Sequence, residues 1–176
     1  MDGTLRIRDM TLADCRSVSD IRIRGWRATY RGFVPQSYLD RLDVDADAER
    51  RRARLVEGGD VVNLVAERDG AVVGWAAHGP FQDGEVRTAD GELYALYVEP
   101  ELLGGGIGHA LLSAALRQRA AAGHARMFLW VLNGNVNGRR FYERAGFRAD
   151  GTEQSFEVDG VAVAEMRYGA VLPARG

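Results

Sequence analysis

The 176-residue chain contains no lysine: all 23 of its basic residues are arginines. That absence excludes Schiff-base chemistry on a lysine amine, and pyridoxal catalysis with it. It also excludes a Walker A loop, which requires Gly-Lys-Ser/Thr. Cysteine occurs once, at Cys15, so an internal disulfide framework and a multi-cysteine metal site are both ruled out. No apolar run approaches the ~20 residues that span a bilayer. The start, Met1-Asp2-Gly3-Thr4-Leu5-Arg6, lacks the basic and apolar stretches of a signal peptide. A net charge of −2 disfavours nucleic acid as the main partner. His78, His109 and His124 form no metal-spaced pair. The expectation is a cytoplasmic protein with no metal, no membrane and no nucleic-acid partner.

What is present reads as ordinary globular sequence, 46% hydrophobic and 27% charged. The length suits one domain, expected over residues 1–170 with a C-terminal tail at 171–176. Leu5 to Arg8 alternates as a first strand, and Thr11 to Asp14 offers a helix cap. Pro35 opens a second helical region. Acids ahead of arginines suit a charged surface helix over residues 45–57. Asp69-Gly70 predicts a hairpin between Val61–Arg68 and Ala71–His78, and residues 82–91 read as a polar loop.

The second half is more telling. Leu93 to Val98 is a continuous apolar run, predicting a strand buried on both faces. Gly104-Gly105-Gly106-Ile107-Gly108 follows, and then Ala110–Ala122 in strong helix formers. Met127–Leu132 is a second apolar strand. Asn133–Gly138 is a loop, and 139–145 a short helix closed by Gly146. Two buried strands joined by a helix should be parallel neighbours, with ligands beyond their carboxyl ends. Both unusual loops lie there. Four glycines entering a helix let the backbone approach a phosphate closely; a plain flexible turn has the same composition. The spacing fails the Rossmann fingerprint, because the third glycine position is His109.

The stretch Glu92 to Pro100, followed by Leu103-Gly-Gly-Gly-Ile-Gly108, resembles motif A of the GCN5-related N-acetyltransferase (GNAT) family. That motif ends in Gln/Arg-x-x-Gly-x-Gly/Ala, matched here at Gly106 and Gly108. Asn135 to Phe147 resembles the family's Asn-x-x-Ala-x-x-Phe-Tyr-x-x-x-Gly-Phe segment. Two positions depart from the pattern. Leu103 stands at the Gln/Arg position, which removes a side-chain contact with pyrophosphate. Gly138 stands at the Ala position, at a cost of ~1 kcal/mol in helix propensity.

The resemblance implies an α/β (α+β) GNAT fold. Its central sheet would be mixed, mostly antiparallel and twisted, with about seven strands, two splayed parallel central strands and about four flanking helices. It implies acetyl-CoA as cosubstrate and a small-molecule amine or peptide as acceptor, and it allows a homodimer. The backbone of Leu96 and Val98 would hold the pantetheine. The amides of Gly104, Gly105, Gly106, Ile107, Gly108 and His109 would hold the pyrophosphate, and Asn135 and Tyr142 would also contact the cosubstrate.

Acetyl transfer to an amine needs a group to take the amine proton and one to protonate the leaving thiolate. By resemblance Glu92 is the general base and Tyr142 the general acid. The bland alternatives are a solvated Glu92 at the end of a loop and a core-packed Tyr142. Asp90 and Glu85 are lesser bases. Trp26 and Tyr30 share a helix face and border the segment that covers the acceptor in the family, so they are candidate substrate contacts. His78 and Tyr94 are further candidates, with Phe81 and Phe156 weaker still; core packing is the alternative for the aromatics. Three functions compete: an N-acetyltransferase acting in a ternary complex, a non-catalytic acyl-CoA-binding module, and a transferase acting on aminoacyl-tRNA. Glu92 and Tyr142 favour the first, and the absence of a basic balance disfavours the third.

Overall fold

The computed structural model describes residues 3–174. Met1 and Asp2 of the expected leaderless start, and Arg175 and Gly176 of the expected tail, lie outside the described residues. Seven strands form one sheet: β1 (Arg6–Asp9), β2 (Val62–Arg68), β3 (Ala71–Asp83), β4 (Val86–Val98), β5 (Arg126–Leu132), β6 (Arg148–Val158) and β7 (Val161–Val171). Their order is β1-β2-β3-β4-β5-β7-β6. Every neighbouring pair is antiparallel except β4 and β5. The helices among the described residues are α1 (Cys15–Thr29), α2 (Gln36–Asp40), α3 (Val44–Glu57), α4 (Ile107–Ala121) and α5 (Val136–Arg144). The mixed, mostly antiparallel sheet is as expected. Five helices flank it, the short α2 after Pro35 being the expected second helical region.

Local chemistry explains the boundaries. The Thr11 N–H and hydroxyl both donate to the Asp14 carboxylate, at 2.7 and 3.0 Å, fixing the turn that leads into α1. The Arg8 guanidinium grips the same carboxylate at 2.7 and 2.9 Å, and chiefly this bond holds Asp14 below the usual carboxylate range. The Asp43 side chain accepts from the Ala46 N–H at 2.7 Å and caps α3. One face of the sheet packs Val65, Trp75 and Ala77 against Cys15 and Val18 of α1 and Ala48 of α3. The other face packs Leu64, Ala76, Leu93 and Leu129 against Ile107, Leu111 and Leu112 of α4.

Four expectations are corrected. Residues 82–91 are not a polar loop: β3 and β4 continue through them as a hairpin, with Gln82 opposite Arg87. Residues 82–87 are exposed on both faces of a two-stranded extension, so they carry no alternation and composition alone reads them as loop. The expected 139–145 helix begins three residues earlier, because the Asn135 side chain accepts from the Gly138 N–H at 2.9 Å and nucleates it. At the other end of the chain β7 runs to Val171, and Leu172 is buried with its N–H bonded to Ala125 O at 2.9 Å.

The fourth correction matters most. The run 93–98 is not buried on both faces: Tyr94 is 42% exposed and residues 95–98 are half-buried. Ala77 faces Ala95 and His78 faces Leu93, so Tyr94 is an extra residue on β4, a β-bulge. The bulge reverses the pleat. Leu93 points towards α4, whereas Ala95 packs with the α1 cluster. The parallel pairing of β4 and β5 then covers only Gly91–Leu93 against Met127–Leu129. Beyond it the two strands part.

Tyr97 stands on the parted segment, its ring stacked on Trp75 at 6.1 Å. Gly25 of α1 lies directly behind it, and a Cβ there would meet Tyr97 Cδ1 at 2.5 Å. Gly25→Val should therefore displace the ring and cost about 1–3 kcal/mol, as overpacking does. Urea unfolding of the two proteins checks this; an unchanged midpoint would show that the ring moves aside freely.

Candidate active site

The parted strands open into a cleft of ≈ 1360 Å³. Its floor is the free edge of β4 from Tyr94 to Val98, facing Trp130–Leu132 of β5. Backbone N–H and C=O groups on that edge have no ladder partner in β5, and such groups require another one. Glu92 sits at the closed end of the fork. At the open end, a short turn after Pro100 leads into the glycines. That turn is fixed by Arg24 of α1, which pairs with Glu99, with Glu101 at 3.2 Å and with Asp20 at 2.9 Å.

Gly104 and Gly106 both adopt φ of +82°, a left-handed conformation that a side chain would strain. Gly106 caps α4, and the first bond across the turn is Ala110 N–H to Gly106 O at 3.0 Å. The amides of Ile107, Gly108 and His109 precede that bond and lack an intrahelical acceptor. Such a turn suits an anion. Leu103, 70% exposed, adds no charge to it. Across from the turn lies α5, where a Cβ on Gly108 would sit 3.3 Å from Phe141 Cζ.

The structure brings most of the sequence candidates to this cleft. Glu92, Tyr94, Leu96, Val98, Gly104, Gly106, Ile107, Gly108, His109, Asn135, Tyr142, Trp26, Tyr30 and Phe156 all line it. Trp26 and Tyr30 stack at 4.1 Å, one helical turn apart, and also pack on Leu39 and Val34. They are wall and core at once. Asn135 spends its carbonyl oxygen on capping α5, which leaves its NH₂ group for other contacts.

His78 is placed elsewhere. It is fully buried on the α4 side of β3, and Nε2 pairs with Gln118 Oε1 at 2.9 Å. Burial, and then the nearby Arg119, lower its pKa to about 4. It does not line the cleft, because the residue at 78 faces the same way as Leu93, away from the bulge. Phe81 is buried against Phe128, and Asp90 is tied to Arg126 at 2.8 Å. Neither reaches the cleft.

Among the cleft residues that escaped the sequence reading are Tyr97, Trp130, Gln154, Glu165, Arg22, Arg140 and Arg144. Glu165 is the consequential one. It accepts from Gln154 Nε2 at 2.6 Å and acts on Glu92 through space. Burial first, and then the Glu165 charge, raise the Glu92 pKa from 4.5 to about 7. Burial, with Tyr97 next in weight, also pushes the Tyr142 phenol up, so that it keeps its proton at neutral pH. The cleft thus holds both a carboxylate that titrates near neutrality and a phenol that stays protonated.

A model of the acetyltransferase (GNAT) family matches residues 23–147. An uncharacterized N-acetyltransferase of Bacillus subtilis, YuaI, is 29% identical over 163 residues, covering 93% of this chain and 91% of that protein. A spermidine N(1)-acetyltransferase of Thermoplasma acidophilum is 24% identical, covering 86% of this chain and 93% of that one. The crystal structure of the PaiA N-acetyltransferase of Thermoplasma acidophilum in complex with coenzyme A superposes with a TM-score of 0.74 at 21% identity, covering 96% of this chain and 99% of that chain. Fold and relatives together define an N-acetyltransferase. The chain belongs to the acetyltransferase (GNAT) family. No helix among the described residues is long and apolar enough to cross a membrane.

The raised Glu92 pKa has a consequence for stability. The folded state favours protonated Glu92, so this group's contribution to stability is greatest below pH 4.5 and declines as pH rises to about 7. Glu92→Gln removes that decline. In the ligand-free protein at pH 8 the variant should be the more stable, and the gap should close by pH 4.5. Urea titrations across this range test the sign; a wild type that gains on the variant as pH rises would contradict the burial of this carboxylate.

Proposed function

We propose that the protein transfers the acetyl group of acetyl-CoA to a primary amine of a small molecule or peptide, by direct attack in a ternary complex. One observation carries the reading: β4 and β5 part after Leu93, and Glu92, Tyr142 and the glycine turn all face the resulting cleft. The residues present fit acetyl-CoA. The free β4 edge at Leu96 and Val98 offers backbone partners to the pantetheine amides. The amides of Gly104 and of Gly106 to His109 suit the pyrophosphate. The expected contact at Gly105 is not available, because its N–H is bonded to Leu102 O at 3.3 Å and the residue lies outside the cleft lining. The coenzyme A bound to the structural neighbour supports the same ligand.

Acetyl-CoA supplies an activated thioester; the chain's residues do the proton work. Glu92 takes one proton from the ammonium, and the freed lone pair forms the C–N bond; the nitrogen sheds its second proton to solvent as the tetrahedral intermediate collapses to the amide. Tyr142 gives its hydroxyl proton to the sulfur as the C–S bond breaks, and recovers one from solvent. The second carboxylate, Glu165, favours an acceptor that arrives as a cation, in keeping with the spermidine acetyltransferase among the relatives. A module that only bound acyl-CoA would need neither Glu92 nor Tyr142 in the cleft.

Acetyl-CoA at 100 times its Kd should stabilise the fold by about 2.7 kcal/mol. A melting scan reads this, and absence of any shift at millimolar ligand would end the proposal. Gly106→Asp should abolish the shift, because it strains a φ of +82° and adds negative charge to the turn.

Tyr142→Phe should lower kcat by about 10²–10⁴-fold, the usual contribution of a general acid. The ring is kept, so acetyl-CoA affinity should hold. Coenzyme A release with a panel of polyamines, amino acids, aminoglycosides and short peptides measures both quantities; an unchanged kcat on a substrate limited by chemistry would return Tyr142 to packing.

A further inference from the structure

Arg140 and Arg144 stand one turn apart on α5, and both line the cleft. Both are exposed, and neither makes an ion pair or hydrogen bond among the described residues. Their neighbours on the helix differ. Arg139 donates to Tyr168 Oη at 3.1 Å and to Asn133 O at 3.2 Å. Arg148, just past the helix, donates to Glu143 O and Phe147 O at 2.8 and 2.7 Å. Local structure therefore uses Arg139 and Arg148, whereas Arg140 and Arg144 stay unpaired among the described residues, between the cleft and a smaller surface hollow that they share with Glu143 and Arg148.

Like charges four residues apart destabilise a helix. The helix dipole accounts for Arg144, in the last turn, but not for Arg140, in the middle. Position accounts for both. The Phe141 ring abuts Gly108, so α5 stands directly across from the glycine turn. Of the two cleft carboxylates, Glu92 lies at the closed end of the fork, and Glu165 is held on β7 opposite Leu132, bonded to Gln154. The turn itself carries the exposed, uncharged Leu103 where a charged side chain would add to it.

We infer that Arg140 and Arg144 form the subsite for the 3′-phosphate of coenzyme A, supplying from α5 the side-chain charge that Leu103 lacks. Two guanidinium forks match a phosphate dianion in charge and geometry. The inference rests on the proposed use of acetyl-CoA, and its test separates the two.

Isothermal titration with coenzyme A and with 3′-dephospho-coenzyme A is run on the wild type and on the double variant R140A/R144A. Alanine favours helix, and ligand-free melting temperatures check the fold. The wild type should bind coenzyme A about tenfold more tightly than the dephospho form, as two exposed ion pairs to one dianion allow. In the double variant that preference should vanish, through loss of coenzyme A affinity alone. A preference that survives in the variant overturns the inference. So does equal weakening towards both ligands, which would put the arginines on the pyrophosphate. A wild type that binds both equally overturns it too, while leaving the acetyl-CoA reading intact. A wild type that binds neither removes that reading, and the inference with it. If the double variant unfolds, Arg140→Gln and Arg144→Gln tested singly must each lower the ratio.

Discussion

The structure turns on one extra residue. Tyr94 interrupts the register between β3 and β4, and with it the parallel pairing of β4 with β5. A continuous ladder here would satisfy every backbone group of both strands and leave no cleft. The bulge bends β4 away, so the edge from Tyr94 to Val98 keeps unpaired groups in a half-buried site. The same reversal of pleat turns Ala95 and Tyr97 towards α1 and leaves Leu96 and Val98 beside the α4 core. Opening the sheet and lining the opening are thus one event.

An open fork needs support on both arms. On the β4 side, Trp75 and Gly25 confine Tyr97, and Arg24 ties Glu99 and Glu101 to α1 just before the glycines. On the β5 side, Asn135 starts α5, and a chain of bonds runs from Arg139 to the buried Tyr168 hydroxyl and on to Glu143 at 2.9 Å. Tyr168 belongs to β7, so α5 is anchored to the strand that carries Glu165 three residues earlier. The groups that face each other across the cleft are held by separate, rigid devices. In a chain without lysine, arginine makes the tie on each arm that reaches a neighbouring element, Arg24 to Glu99 and Arg139 to Tyr168, and its planar fork suits an acceptor held in fixed geometry.

The elements themselves were legible in the sequence, since caps, Asp-Gly turns and apolar runs mark them locally. The family segments at 92–108 and 135–147 located Glu92, Tyr142 and the glycine turn on one cleft before any geometry was known. The parting of the strands was legible only through that resemblance. Apolar residues at 94–98 satisfy the pattern of a buried strand equally well when they line a cleft, and a bulge leaves no trace in alternation. Glu165 was invisible for another reason: a charge in a strand ordinarily faces solvent. Only the sheet order, with β7 beside β5 rather than at the edge, carries it towards Glu92. His78 failed in the opposite direction. It is close to Glu92 across the hairpin, but on the buried face.

The two carboxylates bear on how proton transfer would run under the proposed function. A free alkylamine titrates near ~10.4, whereas Glu92 in the ligand-free cleft titrates at about 7. Complete transfer before attack is therefore uphill by roughly 3–4 pKa units, or about 4–5 kcal/mol. A cation beside Glu92 and Glu165 would lower the Glu92 value further and widen the gap. The raised value thus belongs to the waiting site. It keeps Glu92 partly protonated until a cation displaces that proton. The ammonium must still shed one proton before its nitrogen has a lone pair to form the C–N bond, whereas the second proton leaves after that bond forms, when the nitrogen is strongly acidic and even a weakened base suffices. Glu165 then has a cost as well as a use: it draws the cation in and makes its deprotonation harder. The Gln154 amide, bonded to Glu165 at 2.6 Å, moderates that charge without cancelling it.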